Sequence, residues 1–173
     1  IANAINLYMT DMQNKGQEVV LTASGTSLNI GGVLNNYNAG CIGESTATIF
    51  YSAATVNGTT SPFNGARATN TRIVATSSNI NPPGWLPVPI GTSTIIQLTS
   101  LPIDPRNAVN ASTPNSFYYT YGCRVTDLTF ELNARLEIKT SEMQNDGGNN
   151  PNLYEVGTAF DILPGSNGIH FYP

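Results

Sequence analysis

With 173 residues the chain is long enough for one domain with a core of its own, and nothing in it signals a second domain, a repeat or a low-complexity tail. Only 10% of the residues are charged, the formal net charge is -4, and the basic residues Lys15, Arg67, Arg72, Arg106, Arg124, Arg135 and Lys139 form no stripe, which argues against nucleic acid as a partner. Asn, Thr, Ser and Gly replace the missing charges, a composition more usual outside the cell than in the cytosol, and no stretch approaches the roughly 20 apolar residues of a membrane span.

The first element is the most regular. In "IANAINLYMTDMQNKG", Ile1, Ala4, Ile5, Tyr8, Met9 and Met12 recur at the 3.6-residue helical repeat, while Asn3, Asn6, Thr10, Gln13 and Asn14 take the opposite face. Gly16 is a suitable helix end, and Lys15 before it places a cation where the helix dipole is negative. The start differs, because Ile1 already lies in the apolar stripe and no Ser, Thr, Asp or Asn precedes it to accept the first free amides. The pattern reads as the surviving half of a longer helix; an amphipathic helix fraying at a free amino terminus is the alternative.

Beyond Gly16 the helical repeat gives way to "EVVLTA", "ATIFYSAA", "TRIVATS", "STIIQLTSL" and "SFYYTYGCRV", short runs rich in β-branched and aromatic residues and separated by turn-forming clusters. Between them "NINPPGWLPVPIG" carries four prolines, which exclude both helix and central strand, and its Trp85, Leu86, Val88 and Ile90 predict an ordered, packed loop. The strongest predicted strand is "LTFELNARLEIK". Its Leu128, Phe130, Leu132, Ala134, Leu136 and Ile138 alternate with Thr129, Glu131, Asn133, Arg135, Glu137 and Lys139, so one face is expected to be buried and the other wet, with cross-strand ion pairs among the charges. Phe117, Tyr119, Tyr121 and Cys123 share one phase, and the two runs predict an antiparallel hairpin connected around Arg124 to Asp127. The resulting plan is α+β, an amino-terminal helix packed on an antiparallel β-sheet with long loops.

Residues that could carry chemistry are few. Cys41 and Cys123 belong to no C-x-x-C pair, which argues against a zinc site and a thioredoxin-like motif; a disulfide is the simple reading and two buried thiols the alternative. His170, the single histidine, lies near the carboxyl end, where a surface or docked position is expected, and no G-x-S-x-G, H-E-x-x-H or P-loop appears. Glu131 with Glu137, or Asp104 with Asp146, are the carboxylate pairs to weigh for glycoside hydrolysis. The expectation is no enzyme and no cofactor.

The stretch "NDGGNNPNLYEVGT" lacks EF-hand spacing, but Asp146 with Asn149, Asn150 and Asn152 makes a candidate loose calcium site. One carboxylate is little charge for a divalent ion, and Asn, Gly and Pro151 specify turns by themselves. Trp85 and Tyr118 are candidate platforms for a sugar, in a secreted β-rich carbohydrate-binding or adhesive module; the prolines and aliphatic residues around Trp85 speak instead for a buried plug. Asn57 in "NGT" and Asn110 in "NAS" are glycosylation acceptors by pattern.

In this order, "ANAINLYMTD", "GWLPVPI", "SLPIDPRN", "FYYTYG", "FELNARLE" and "DGGNNPNLYEVGT" resemble the soluble domains of bacterial type IV pilin-like proteins, including the pseudopilins of type II secretion systems. The likeness covers most of residues 1–16, the remnant of a long pilin helix, and residues 84–158 of a carboxyl-terminal β-region (84–173); residues 17–83 would be a variable region. The resemblance implies a single pilin-like domain acting as a structural subunit of an extracellular pilus-like filament or secretion pseudopilus. Its partners would be copies of itself in a homopolymer and an inner-membrane assembly machinery. The family's apolar amino-terminal half-helix, with a glutamate near its start, is not in this sequence; it would anchor the precursor in the inner membrane and later form the filament core. Ile1, Ile5, Tyr8 and Met12 would then pack on the sheet, and Ala2, Leu7 and Asp11 would face neighbouring subunits. A calcium site in a carboxyl-terminal loop belongs to the major pseudopilins that the chain resembles.

Overall fold

Helix α1 (Ala2–Asn14) follows the predicted stripe, with Ile5, Tyr8 and Met12 buried at spacings of three and four residues. No side chain caps its start. At its end Gly16 adopts φ 63°, its amide donates to the Gln13 carbonyl at 3.0 Å, and the Gln17 amide donates to Met12 at 2.9 Å. Both bonds satisfy carbonyls that the helix leaves free, and the left-handed turn that closes them favours glycine. The computed structural model describes residues 1–22, 28–30, 33–35, 41, 48–52, 71–74, 77–82, 84–107, 117–138 and 140–163; Asn57, Asn110 and His170 lie outside the described residues.

Two short strands, β1 (Leu28–Ile30) and β2 (Val33–Asn35), pair with each other. The main sheet is built from β3 (Thr48–Tyr51), β4 (Thr71–Val74), β5 (Tyr119–Arg124), β6 (Thr129–Ala134) and β7 (Tyr154–Gly157), in the spatial order β4-β3-β5-β6-β7. All neighbours are antiparallel except β3 and β4, which run parallel. The predicted β5–β6 hairpin is present, with Tyr121 opposite Leu132 and Arg124 opposite Thr129. A short helix, α2 (Thr140–Gln144), precedes β7. The class is therefore α+β, with one parallel pair added to the antiparallel sheet.

Register sorts the side chains into two faces. Phe50, Tyr121, Cys123, Phe130 and Leu132 meet Ile5, Tyr8, Met12, Trp85, Leu86, Val88 and Ile90 in one apolar core, so the helix and the proline-rich loop cover the same side of the sheet. The hydroxyl of Tyr121 donates to the Leu21 carbonyl at 2.9 Å and that of Tyr8 accepts from the Val20 amide at 3.1 Å, which fixes the chain as it leaves the helix. The other face carries Ile49, Tyr51, Thr120, Gly122, Glu131, Asn133, Glu155 and Gly157; the side chains of Ile49, Tyr51, Thr120, Glu131, Asn133 and Glu155 are buried, while Arg124 and Thr129 at the hairpin end are half-buried.

Three expectations need correction. Residues 128–139 do not form one long strand: Leu128 sits at φ 53° in the four-residue hairpin connection, pairing stops at Ala134, and Ile138 is 82% exposed. The face holding Glu131 and Asn133 is dry, because residues 158–163 fold back across it. "STIIQLTSL" and the described part of "EVVLTA" form no strand; residues 90–92 make a single 3-10 turn, and the chain beyond it satisfies backbone groups one at a time, as when the Leu101 amide donates to Ser78 at 2.6 Å.

Candidate functional site

Of the residues that the filament reading assigns to subunit contacts, Leu7 lies on the outer side of α1. Leu7 is 47% exposed, a large apolar side chain left in water, whereas Ala2 is half-buried against the core. Asp11 does not belong with them. It is only 7% exposed, its carboxylate pairs with Lys15 at 2.6 Å one helical turn on, and it accepts the Ser93 hydroxyl at 2.7 Å. The Lys15 and Ser93 bonds hold its carboxyl below the usual carboxylate range. A charge at the edge of the stripe meets a loop that arrives from about eighty residues away, which helical periodicity has no means of showing. Ile1 is half-buried against the same core, while Ile5, Tyr8 and Met12 are inside it.

Neither aromatic platform is available to a sugar. Trp85 is 0% exposed, its indole N–H donates to the Pro102 carbonyl at 3.1 Å, and its ring lies 6.0 Å from that of Tyr119. Tyr118 is buried and meets Tyr51 edge-on at 5.6 Å. Gly84, just before Trp85, lies so close to the Asn79 carbonyl that a Cβ would stand 2.0 Å from its oxygen, so the loop's path depends on that glycine. Cys41 and Cys123 form a disulfide across 82 residues of sequence, tying β5 to the region that the resemblance treats as variable.

Within the stretch from Asn145 to Thr158, side-chain oxygens accept backbone amides. Asp146 accepts the Gly148 amide at 2.8 Å through one oxygen and the Glu155 amide at 2.6 Å through the other, and Asn150 accepts the Asn152 amide at 3.1 Å. Asn149 and Asn152 are exposed. Of the candidate ligands Asp146 and Asn150 are thus engaged in the turn, and among the described residues no three Asp, Glu, His or Cys side chains converge as a metal-ligating group.

The carboxylates singled out from the sequence have different surroundings: Glu137 is an exposed partner of Arg106 at 2.9 Å, Asp104 accepts the Arg106 and Asn107 amides, and Glu131 is buried. Glu131 makes none of the expected ion pairs; burial on the dry face replaces them.

What the sequence reading missed is the partnership of Glu131 with Glu155. Glu131 lies opposite Gly157, and Asn133 lies opposite Glu155, so the two glutamates are diagonal neighbours on one face of β6 and β7. One oxygen of Glu131 accepts the Ile162 and Leu163 amides at 2.9 and 2.8 Å, and one oxygen of Glu155 accepts the Asn150 amide at 2.6 Å. The second oxygen of each is buried and meets no donor. Burial, with Glu155 adding to it, pushes the Glu131 carboxyl up to about 8; burial first, and then the charge of Asp146, raises Glu155.

Glycines make the arrangement fit. A Cβ on Gly122 would stand 2.7 Å from the Leu163 side chain, and one on Gly148 would stand 2.1 Å from the Glu155 carboxylate. A glycine inside the β5 run was the sequence signal of a close approach.

Two open grooves flank this region. One, of about 270 Å³ and mainly apolar, lies where Ile1 and Ala2 cross Leu132, Ala134, Tyr154 and Val156. The other, of about 690 Å³, runs between Asn3 and Asn6 of the helix and Glu142, Asp146 and Phe160. No family model matches the chain, and no curated protein or solved structure is significantly similar to it.

Proposed function

We propose that this chain is a structural subunit of an extracellular filament of the type IV pilus or secretion-pseudopilus kind, with a pilin-like fold and no catalytic role. The observation that carries the reading is the disposition of α1. Ile5, Tyr8 and Met12 fasten the helix to the sheet while Leu7 stays 47% exposed on its outer side, an apolar contact suited to a neighbouring copy. A helix braced in this way is placed to run from the globular part into a filament core made by an apolar half-helix, and the subunit contacts narrow to Ala2 and Leu7. The disulfide is in keeping with an oxidising compartment such as the cell surface. Trp85 and Tyr118, the two platforms named for a carbohydrate-binding module, are buried.

The test is Leu7→Lys in the native precursor, scored by immunogold labelling and by the filament fraction sheared from cells. The expected result is an unfolding free energy within about 0.5 kcal/mol of wild type, as for exposed substitutions, together with loss of the labelled filaments. Filaments formed as in wild type would remove Leu7 from the interface, and wild-type protein absent from any filament would overturn the reading itself.

A further inference from the structure

The dry face of the sheet places two carboxyl groups side by side, and no ion pair of either is found among the described residues. Glu131 (β6) and Glu155 (β7) are buried diagonal neighbours, each with one oxygen committed to backbone amides and one oxygen without a donor. Among the described residues, the charged groups around them are Asp146 in the turn before β7, Glu142 on α2, Asp161 in the returning segment, Asp127 in the hairpin connection and Arg124 at the end of β5. Arg124 is the one cation of this set, and its guanidinium is already bonded to both Asp127 and Asp161 at the surface. Two adjacent buried carboxylates cannot both remain ionised, whereas one proton between the two free oxygens satisfies both and leaves a single negative charge for the three backbone amides to solvate.

We propose that Glu131 and Glu155 share one proton and that this proton is a latch: it holds the 145–150 turn and the 158–163 segment on the sheet, and its loss loosens both. The attachments make the coupling direct. Glu131 grips the returning segment through the Ile162 and Leu163 amides, and Glu155 grips the turn through Asn150, so repulsion between the carboxylates strains both contacts at once. Ile162 and Leu163 are buried where Glu131 grips them. The folded chain binds a proton that the unfolded chain releases in the ordinary carboxylate range. The stabilisation contributed by the shared proton is therefore fully present below about 4.5, declines as the pH rises and is lost through about 8.

The experiment is urea unfolding of the full chain between about pH 5 and pH 9 for wild type, Glu131→Gln and Glu155→Gln, each with and without excess EDTA or calcium. A glutamine donates permanently where the shared proton donates in wild type, and its carbonyl oxygen still accepts the same amides. The expected wild-type unfolding constant rises by up to roughly tenfold per pH unit from about pH 5 and levels off above about 8, and either glutamine variant that folds flattens this rise. A variant that keeps the wild-type slope overturns the latch. So does wild type that EDTA destabilises and calcium restores at neutral pH, because a cation would then occupy the place given to the proton.

Discussion

Trp85 is enclosed on all sides although it stands among four prolines, and its one polar atom reaches the Pro102 carbonyl. Trp85→Ala would remove the largest side chain of the core and leave a cavity that a loop braced by proline cannot close. The expected loss is about 3 to 5 kcal/mol of unfolding free energy, measured by urea denaturation. Trp85 could be read as a plug from its apolar neighbours in sequence, because what surrounds it locally also surrounds it in space. Glu131 and Asp11 could not be read in the same way. Alternation along β6 states which face Glu131 takes, but whether that face is wet depends on Ile162 and Leu163, more than thirty residues on. The edge position of Asp11 on the helix is equally silent about Ser93. Polar residues are misjudged when their partners come from a distant segment.

At the scale of elements, α1 was legible to its last residue, since the stripe, the Lys15 position and Gly16 all point to the same end. The β5–β6 hairpin was legible because two adjacent runs share a phase and a turn. "STIIQLTSL" was not: its β-branched composition fits a strand, yet none of the described strands pairs with it, and isolated backbone bonds serve instead. The disulfide joins elements that strand pairing alone does not bind, Cys41 and β5. Replacing both cysteines by serine is expected to lower unfolding free energy by roughly 4 kcal/mol at most on the loop-closure argument, with a lower urea midpoint as the readout. An unchanged midpoint would show that the bridge constrains nothing the core does not already hold.

For the whole molecule, the sheet is covered twice, by helix and proline-rich loop on one side and by the returning carboxyl-terminal segment on the other. Alternating sequence pattern suggested a half-wet sheet because the covering segment carries little periodicity of its own. On the outer side of α1 Leu7 stands 47% exposed, and that is where the filament reading stands or falls. The most direct measurement is the sequence of the native precursor ahead of Ile1, by mass spectrometry of protein from its source. The account predicts a short basic leader followed by about 20 apolar residues with an early glutamate, continuous with the stripe of α1. A secretory signal whose small-residue cleavage site directly precedes Ile1 would contradict it.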